Sequence, residues 1–317
     1  MKLEMSTKDV AFVAIFAALS VVTIKVVPGI PIIGVPEASI KFDAALAPIY
    51  GLVAGPYLGF LAALIAGLVT AGSPFSVLTS FAPAVSALVV GLLTQRNYRN
   101  PESKLKGWML AALVLGLLIL GWYLSWVGQR APLYPVLHLG GLFAIIITRE
   151  WTAKAFKEGK VQENGRWQTK PYYMFFGILI IVTGYIFTRP YLSEFWILPY
   201  LSLPFYFFGG ITILYGAFGK GKGQFAPAVC LASYCGIIAD HMLGNLIFIH
   251  VIDVFIPLQV IEEYFLQPYR LPDIPSLFMY MIPVSIIERI IFTAIATILG
   301  VGLVLALRKA NLFPRKS

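Results

Sequence analysis

The sequence predicts an all-α fold, a polytopic membrane bundle of about ten transmembrane helices. Hydrophobic residues make up 59% of the 317 residues and charged residues only 12%, with a mean hydropathy of +0.82. Apolar runs of roughly twenty residues recur from residue 8 to residue 308, the length that a helix needs to cross a bilayer. Because the loops between these runs are short, the chain has no room for a large soluble domain.

The first apolar run has no small-residue cleavage site after it, so we expect a retained first helix rather than a signal peptide. The second and third runs are short. Hydropathy predicts ten spans, at residues 8–27, 41–54, 57–72, 75–94, 107–127, 134–149, 172–188, 196–218, 225–251 and 276–307.

A Pro/Gly-rich loop from Pro28 leads into a segment with small residues at every fourth position, from Gly51 to Gly67. Such rows let apolar helices approach each other closely in a bilayer. Gly55-Pro56 interrupts the row, because proline lacks an amide donor and disfavours helix at the preceding residue. The segment therefore predicts a tight helical hairpin.

The net charge of +9 is a topology signal. Most Lys and Arg residues fall in the N-terminus, in loops 95–106 and 149–171, in the GKGKG turn and in the tail, which share one side if the spans alternate. The positive-inside rule places that side, with both termini, in the cytoplasm of a multi-pass cell-membrane protein. Cys230 and Cys235 lie within one apolar span, where we expect buried thiols rather than a disulfide or a metal pair.

Several segments together resemble a known family. These are the first helix with AIFAA at residues 14–18, the Pro/Gly loop, the KFD start at residues 41–43, the Gly-Pro hairpin, the GLLTQRN end of the fourth long span, and the last two spans. They are similar to the substrate-binding S components of energy-coupling factor (ECF) transporters. The resemblance implies a six-helix core formed by residues 1–106 and 225–317, with residues 107–224 as an inserted membrane segment of about four helices.

The resemblance also implies a function. S components bind a vitamin or similar micronutrient and dock on a transmembrane coupling protein that two cytoplasmic ATPase subunits drive. The chain has no GxxxxGK[ST] motif, so the energy must come from such partners. We expect no catalytic residue, no cofactor, no metal site and no nucleic-acid partner; the expected partners are the micronutrient, the coupling proteins and the bilayer.

Ala14 and Ala18 match the family's contact with the coupling protein. Small residues on one face allow a partner helix to slide past at close range, although packing within the chain would use the same pattern.

Two groups of polar residues are candidates for substrate binding. Glu37, Lys41 and Asp43 belong to the Pro/Gly loop and the helix start after it, where the family closes over its substrate; the alternative is that they anchor a helix start at the interface. Ionisable residues inside apolar spans are costly and mostly functional, and the last two spans contain such residues, with a structural ion-pair network as the alternative: Asp240, His241, Asn245, Glu288 and Arg289.

Two other functions remain open at this point. Asp240 or Glu288 could couple protons or sodium in a stand-alone transporter, although no inverted repeat is visible. An intramembrane enzyme is the second alternative, since Glu262-Glu263 and the HxxxN of His241 to Asn245 resemble part of the CAAX-protease pattern in reversed order. We expect His138, near a span end, to lie at the membrane interface rather than to bind a ligand.

Overall fold

The computed structural model describes residues 7–27, 30–31, 39–40, 42–95, 105–158, 177–178, 181, 210 and 224–313. Their main elements are α1 (Thr7–Val26), β1 (Ile30–Pro31), β2 (Ser39–Ile40), α2 (Asp43–Ala54), α3 (Pro56–Thr70), α4 (Pro74–Thr79), α5 (Phe81–Thr94), α6 (Gly107–Leu124), α7 (Trp126–Arg130), α8 (Val136–Thr148), α9 (Trp151–Glu158), α10 (Phe225–Val251), α11 (Leu258–Ile261) and α12 (Ile274–Lys309).

The two short strands pair antiparallel, and a π-helical turn (Glu262–Leu266) and a 3-10 turn (Gln267–Tyr269) lie between α11 and α12. The remainder of the described chain is almost entirely helical, so the predicted all-α class is confirmed.

The predicted Gly-Pro turn separates α2 from α3. Gly55 has φ 82°, a conformation that favours glycine, and Pro56 begins α3, where its missing amide hydrogen costs nothing. A Cβ at Gly59 would lie 2.8 Å from the backbone nitrogen of Gly51. The row of small residues is therefore a backbone-to-backbone contact, as the sequence pattern predicted.

Helix α10 lies at the centre of the described bundle. It packs against α5 and α12 and also contacts α2, α6, α8 and α9. A Cβ at Gly236 would lie 2.8 Å from the carbonyl oxygen of Ser86, so α10 and α5 also meet at close range. The main hydrophobic core includes Val90 on α5 and Ile238 on α10.

Two ends of the bundle can be distinguished. At the first end, α6 and α10 finish and α8 and α12 begin, and the rings of Trp122, Tyr134, Phe248 and Phe278 pack together. At the second end, where α10 begins and α12 finishes, the Arg308 guanidinium lies 4.8–5.2 Å from the centres of three phenylalanine rings, and its Nη2 donates to the carbonyl of Phe156 at 2.6 Å.

Five helical segments of the described chain are long and apolar enough to cross a membrane, at Asp9–Val26, Pro74–Thr94, Gly107–Leu124, Phe225–Val251 and Ile274–Lys309. Large apolar side chains on α6 and α8 are exposed, for example Leu117 at 57% and Phe143 at 65%. Exposed apolar side chains of this kind are expected on helices that face lipid. The protein is therefore a multi-pass membrane protein. The count of ten spans stays a prediction, because 172–188 and 196–218 lie almost entirely outside the described residues.

Most observed helix bounds differ from the predicted ones by a few residues, and the predicted span 107–127 ends as a helix at Leu124, with α7 beginning at Trp126. The predicted span 75–94 is two helices: α4 begins after a capping box formed by Ser73 and Ser76, and a turn at Ser80 separates it from α5. Helix α12 begins two residues earlier than predicted, because the side chain of Asp273 caps it. With 36 residues it is about 54 Å long, well beyond the thickness of a bilayer core.

Gly91 on α5 tests whether this close packing supports the fold. A Cβ at Gly91 would lie 2.5 Å from the Cα of Pro56 and 2.7 Å from the carbonyl carbon of Gly55, whereas a Cβ at Gly116 on α6 meets nothing within 4 Å. We expect Gly91→Ala to destabilise the protein by about 1–3 kcal/mol, because two backbones must separate. Gly116→Ala is the matched control and should gain slightly from helix propensity. Thermal unfolding in detergent measures both, and equal midpoints would contradict the packing account.

Candidate functional site

A cluster of buried and half-buried polar side chains lies where residues 125–138 meet α10 and α12. This polar cluster consists of Tyr134, His138, Asp240, His241, Asn245, Glu288 and Arg289. Five of its seven members are the residues that the sequence predicted in the last two spans, and the structure brings them together.

A chain of hydrogen bonds joins α10 to the segment before α8. The Nδ2 of Asn245 donates to the hydroxyl of Tyr134 at 2.9 Å, and the same hydroxyl lies 3.1 Å from Nε2 of His241. If the tyrosine donates its proton to Nε2, neutral His241 carries its own proton on Nδ1. That Nδ1 is buried and has no hydrogen-bond partner in the described part of the chain.

The ring of His138 stacks on the ring of His241, with centroids 5.3 Å apart and an interplanar angle of 20°. Tyr134 in turn stacks on Trp122 at 4.6 Å. The indole Nε1 of Trp122 donates to the carbonyl of Ala131 at 3.2 Å. The aromatic side of the cluster is thus a set of packed rings whose polar edges are only partly paired.

The charged side of the cluster lies on α12. The guanidinium of Arg289 contacts the carboxylate of the adjacent Glu288 at 2.6 Å, and its charge also acts on Asp240, His138 and His241. Arg289 is 7% exposed, and its Nε has no hydrogen-bond partner among the residues that the structure describes. Buried charges are costly unless they are paired, so an incompletely paired arginine is a candidate for contact with a ligand.

Asp240 brings a second carboxylate under the influence of this arginine, and Asp43 in turn acts on Asp240. Asp240 on α10 is 8% exposed, and the charges of Arg289, Asp43 and Glu288 all act on it. Helix α2 begins beside α12, where Phe42 contacts Phe292. Asp43, the first residue of α2, therefore lies next to α12 within the bundle. Of the predicted loop residues, Asp43 therefore lies near the cluster, while Glu37 and Lys41 fall outside the described residues.

Ala14 and Ala18 lie on a face of α1 that the rest of the described chain leaves exposed. Ala11, Ala14 and Ala18 are exposed, whereas Phe16 and Ser20 on the opposite face are buried, Ser20 with its hydroxyl 2.5 Å from that of Tyr50. In the described structure the small-residue face is not used for packing within the chain.

Sequence reasoning missed two members of the cluster, Tyr134 and His138. His138 was expected at the membrane interface, but it is 1% exposed inside the bundle. The available signal was the PLYP sequence at residues 132–135, where a tyrosine between two prolines is held in a rigid turn just before an apolar helix. Within the described residues, no group of three or more His, Cys, Asp or Glu is arranged to hold a metal ion. Cys230 and Cys235 are free and buried, as predicted.

Arg130 and Asp273 form an ion pair at the first end, close to the ring cluster. Asp273 also caps α12, because its Oδ1 accepts from the amide and the hydroxyl of Ser276. Partial burial acts to raise the pKa of Asp273, but the hydrogen bonds from Ser276 and the charge of Arg130 outweigh it and lower the pKa below its usual value. The ion pair ties the turn before Tyr134 to the start of α12.

Residues 4–148 match the family model described as ECF-type riboflavin transporter, S component. The match confirms the resemblance to ECF S components that the sequence suggested. The chain is thus similar to a family of transporters. It covers slightly less than half of the chain and continues past residue 106, so the predicted insertion at 107–224 stays a prediction. No curated protein and no solved structure matches the chain.

The lowered pKa of Asp273 predicts a dependence of stability on pH. A carboxylate whose pKa is lowered by folding stabilises the fold above its unfolded pKa of about 4, and this stabilisation is lost as the pH falls through the lower folded value. Asp273→Asn keeps a capping side chain but loses the charge, and should cost less than about 1 kcal/mol at pH 7 because the pair is partly exposed. Asp273→Ala also loses the cap and should cost about 1 kcal/mol more.

Thermal unfolding in detergent at pH 7 and at pH 3 measures both effects. The difference between the parent chain and Asp273→Asn should shrink at the lower pH. A difference that is equal at the two pH values would show that the carboxylate charge does not contribute.

Proposed function

We propose that this chain is the substrate-binding subunit of an ECF-type transporter and takes up a vitamin or similar micronutrient of the riboflavin type. The observation that carries the proposal is the buried polar cluster, whose hydrogen-bonding groups are incompletely paired inside an apolar bundle. The family match over residues 4–148 supports it, since riboflavin is the substrate in that family's description. A transmembrane coupling protein and two cytoplasmic ATPase subunits would supply the energy.

The chemistry of the cluster fits a polar heterocycle. Arg289 offers a guanidinium donor, His241 offers its unpaired Nδ1, His138 offers two unpaired ring nitrogens, and the packed rings beside them make the surroundings apolar and aromatic. A vitamin-sized heterocycle needs both kinds of contact, because burial of its rings supplies affinity and a few polar groups fix its orientation.

The orientation proposed here places the first end outside the cell. Lys106, Lys154 and Lys309 lie towards the second end, whereas Asp253 and Glu262 belong to the connection at the first end. The positive-inside rule then assigns the second end to the cytoplasm. The polar cluster would face a substrate that arrives from outside.

The exposed small-residue face of α1 is the proposed contact with the coupling protein. Alanines at a helix surface allow a second helix to approach closely, and no described part of this chain covers them. A contact between small residues lets the subunit move against its partner during transport while the two helices stay packed together.

A stand-alone ion-coupled transporter is the second candidate, because Asp240 and Glu288 are carboxylates held inside the bundle. Such groups serve as proton relays in other membrane proteins. The two candidates differ in whether uptake needs ATP hydrolysis by partner subunits.

Arg289→Lys tests whether the polar cluster binds the substrate. Lysine keeps the charge beside Glu288 but lacks the planar fork of donors. We expect the affinity for riboflavin to fall about 10–100-fold, the loss typical of one hydrogen bond to a charged group. Quenching of riboflavin fluorescence by the detergent-solubilised protein measures it. Arg270→Lys, in the exposed turn before α12, is the control and should bind as the parent does. Unchanged binding by Arg289→Lys would place the substrate elsewhere.

Ala14→Trp combined with Ala18→Trp tests the coupling contact. Two indoles on this face would hold a partner helix away, so we expect loss of riboflavin uptake by cells and of co-purification with the ATPase subunits, while riboflavin binding stays intact. Leu117→Trp, on a comparably exposed apolar surface of α6, is the matched control. Normal uptake by the double variant would contradict the assignment of this face.

A further inference from the structure

We propose that His138 contacts the bound vitamin and determines specificity, by hydrogen bonding to a polar edge of the vitamin's planar heterocycle. The inference rests on the proposed function and assigns a residue of α8 to the same site. His138 lies outside the last two spans, from which the sequence predicted the polar contacts.

His138 is the least satisfied polar side chain of the cluster. It is 1% exposed, and neither ring nitrogen has a hydrogen-bond partner within the described residues. The carbonyl of Pro135, one turn earlier, lies near the ring and accepts from the amide of Leu139 at 2.8 Å, but its geometry relative to the ring nitrogens is not that of a hydrogen bond. A buried donor or acceptor without a partner costs about 1–3 kcal/mol, so an apolar ring of similar size would be the more stable choice here.

Several neighbours of His138 form hydrogen bonds among themselves, whereas His138 forms none with them. Asn245, Tyr134 and His241 form one hydrogen-bonded chain, and Trp122 bonds to a backbone carbonyl. His138 touches this group only through ring faces, at 5.3 Å from the centroid of His241 and 6.3 Å from that of Tyr134. Its nitrogens are therefore available to a molecule that enters the cluster.

The surroundings of His138 define the chemistry of that molecule. A neutral imidazole presents one donor and one acceptor, and the stacked rings beside it favour a flat partner. The positive charge of Arg289 acts on both histidines, which favours a ligand that brings acceptors rather than a second cation. An uncharged planar heterocycle with carbonyl and ring-nitrogen edges meets these conditions.

The test compares three versions of the full-length protein in detergent: the parent, His138→Phe, which keeps a planar ring without nitrogens, and His138→Gln, which restores one donor and one acceptor. Affinities are measured for riboflavin and for three analogues that each lack a different polar group, namely N3-methylriboflavin, 5-deazariboflavin and lumiflavin. His250→Phe, at an exposed position near the end of α10, is the matched control.

We expect His138→Phe to bind riboflavin about 10-fold more weakly, and His138→Gln to recover part of the loss. At least one analogue should lose no further affinity in His138→Phe, because it already lacks the atom that His138 contacts. Unchanged riboflavin affinity in His138→Phe, or an equal loss for riboflavin and all three analogues, would overturn the inference.

Thermal unfolding without ligand gives a second readout that does not depend on riboflavin. Because both nitrogens are unpaired, the unfolding midpoint of His138→Phe should equal or exceed that of the parent. A lower midpoint would show a structural role and overturn the inference by itself. Failure of the parent chain to bind riboflavin would instead contradict the proposed function.

Discussion

The close approach of α5 to the turn between α2 and α3 is the constraint on which the rest of the bundle depends. No side chain fits where Gly91 meets Pro56 or where Gly59 meets Gly51, so backbones touch directly. In a bilayer this contact replaces the hydrophobic effect as the source of packing. Helix α5 then supports α10 through Gly236 and Ser86, and α10 carries three of the seven residues of the polar cluster. The small residues therefore position the polar ones.

The polar cluster contains charged groups whose burial costs free energy, and polar atoms that have no hydrogen-bond partner in the described chain. Glu288 pairs with Arg289, which reduces the cost of burying both, but Nε of Arg289 and the ring nitrogens of His138 stay unpaired. A protein whose only need was stability would fill these positions with apolar side chains. Single buried hydroxyls without a partner also occur elsewhere in the described chain, at Ser86, Thr152, Ser233 and Thr293. The polar cluster differs because a guanidinium and two imidazoles are incompletely paired together, and this is the physical reason to place a polar substrate there.

The sequence predicted the helices better than it predicted the site. Long apolar runs fix spans because length and hydropathy are local properties, and residues 225–251 were predicted with the observed bounds. The turn at Gly55 was predictable because glycine and proline act on their own backbone. Tyr134 and His138 were not predicted as members of the cluster, because their role depends on which helix α8 packs against. No local sequence pattern contains that information. The two halves of the cluster are about a hundred residues apart in sequence.

The central claim is that this chain binds a substrate but needs partner ATPases to transport it. The most direct measurement is riboflavin uptake into liposomes that contain the purified chain, alone and together with a coupling protein and its two ATPase subunits, with and without ATP. The account predicts riboflavin binding but no uptake by the chain alone, and uptake by the complete assembly only with ATP. Full uptake by the chain alone, driven by a proton or sodium gradient, would contradict it.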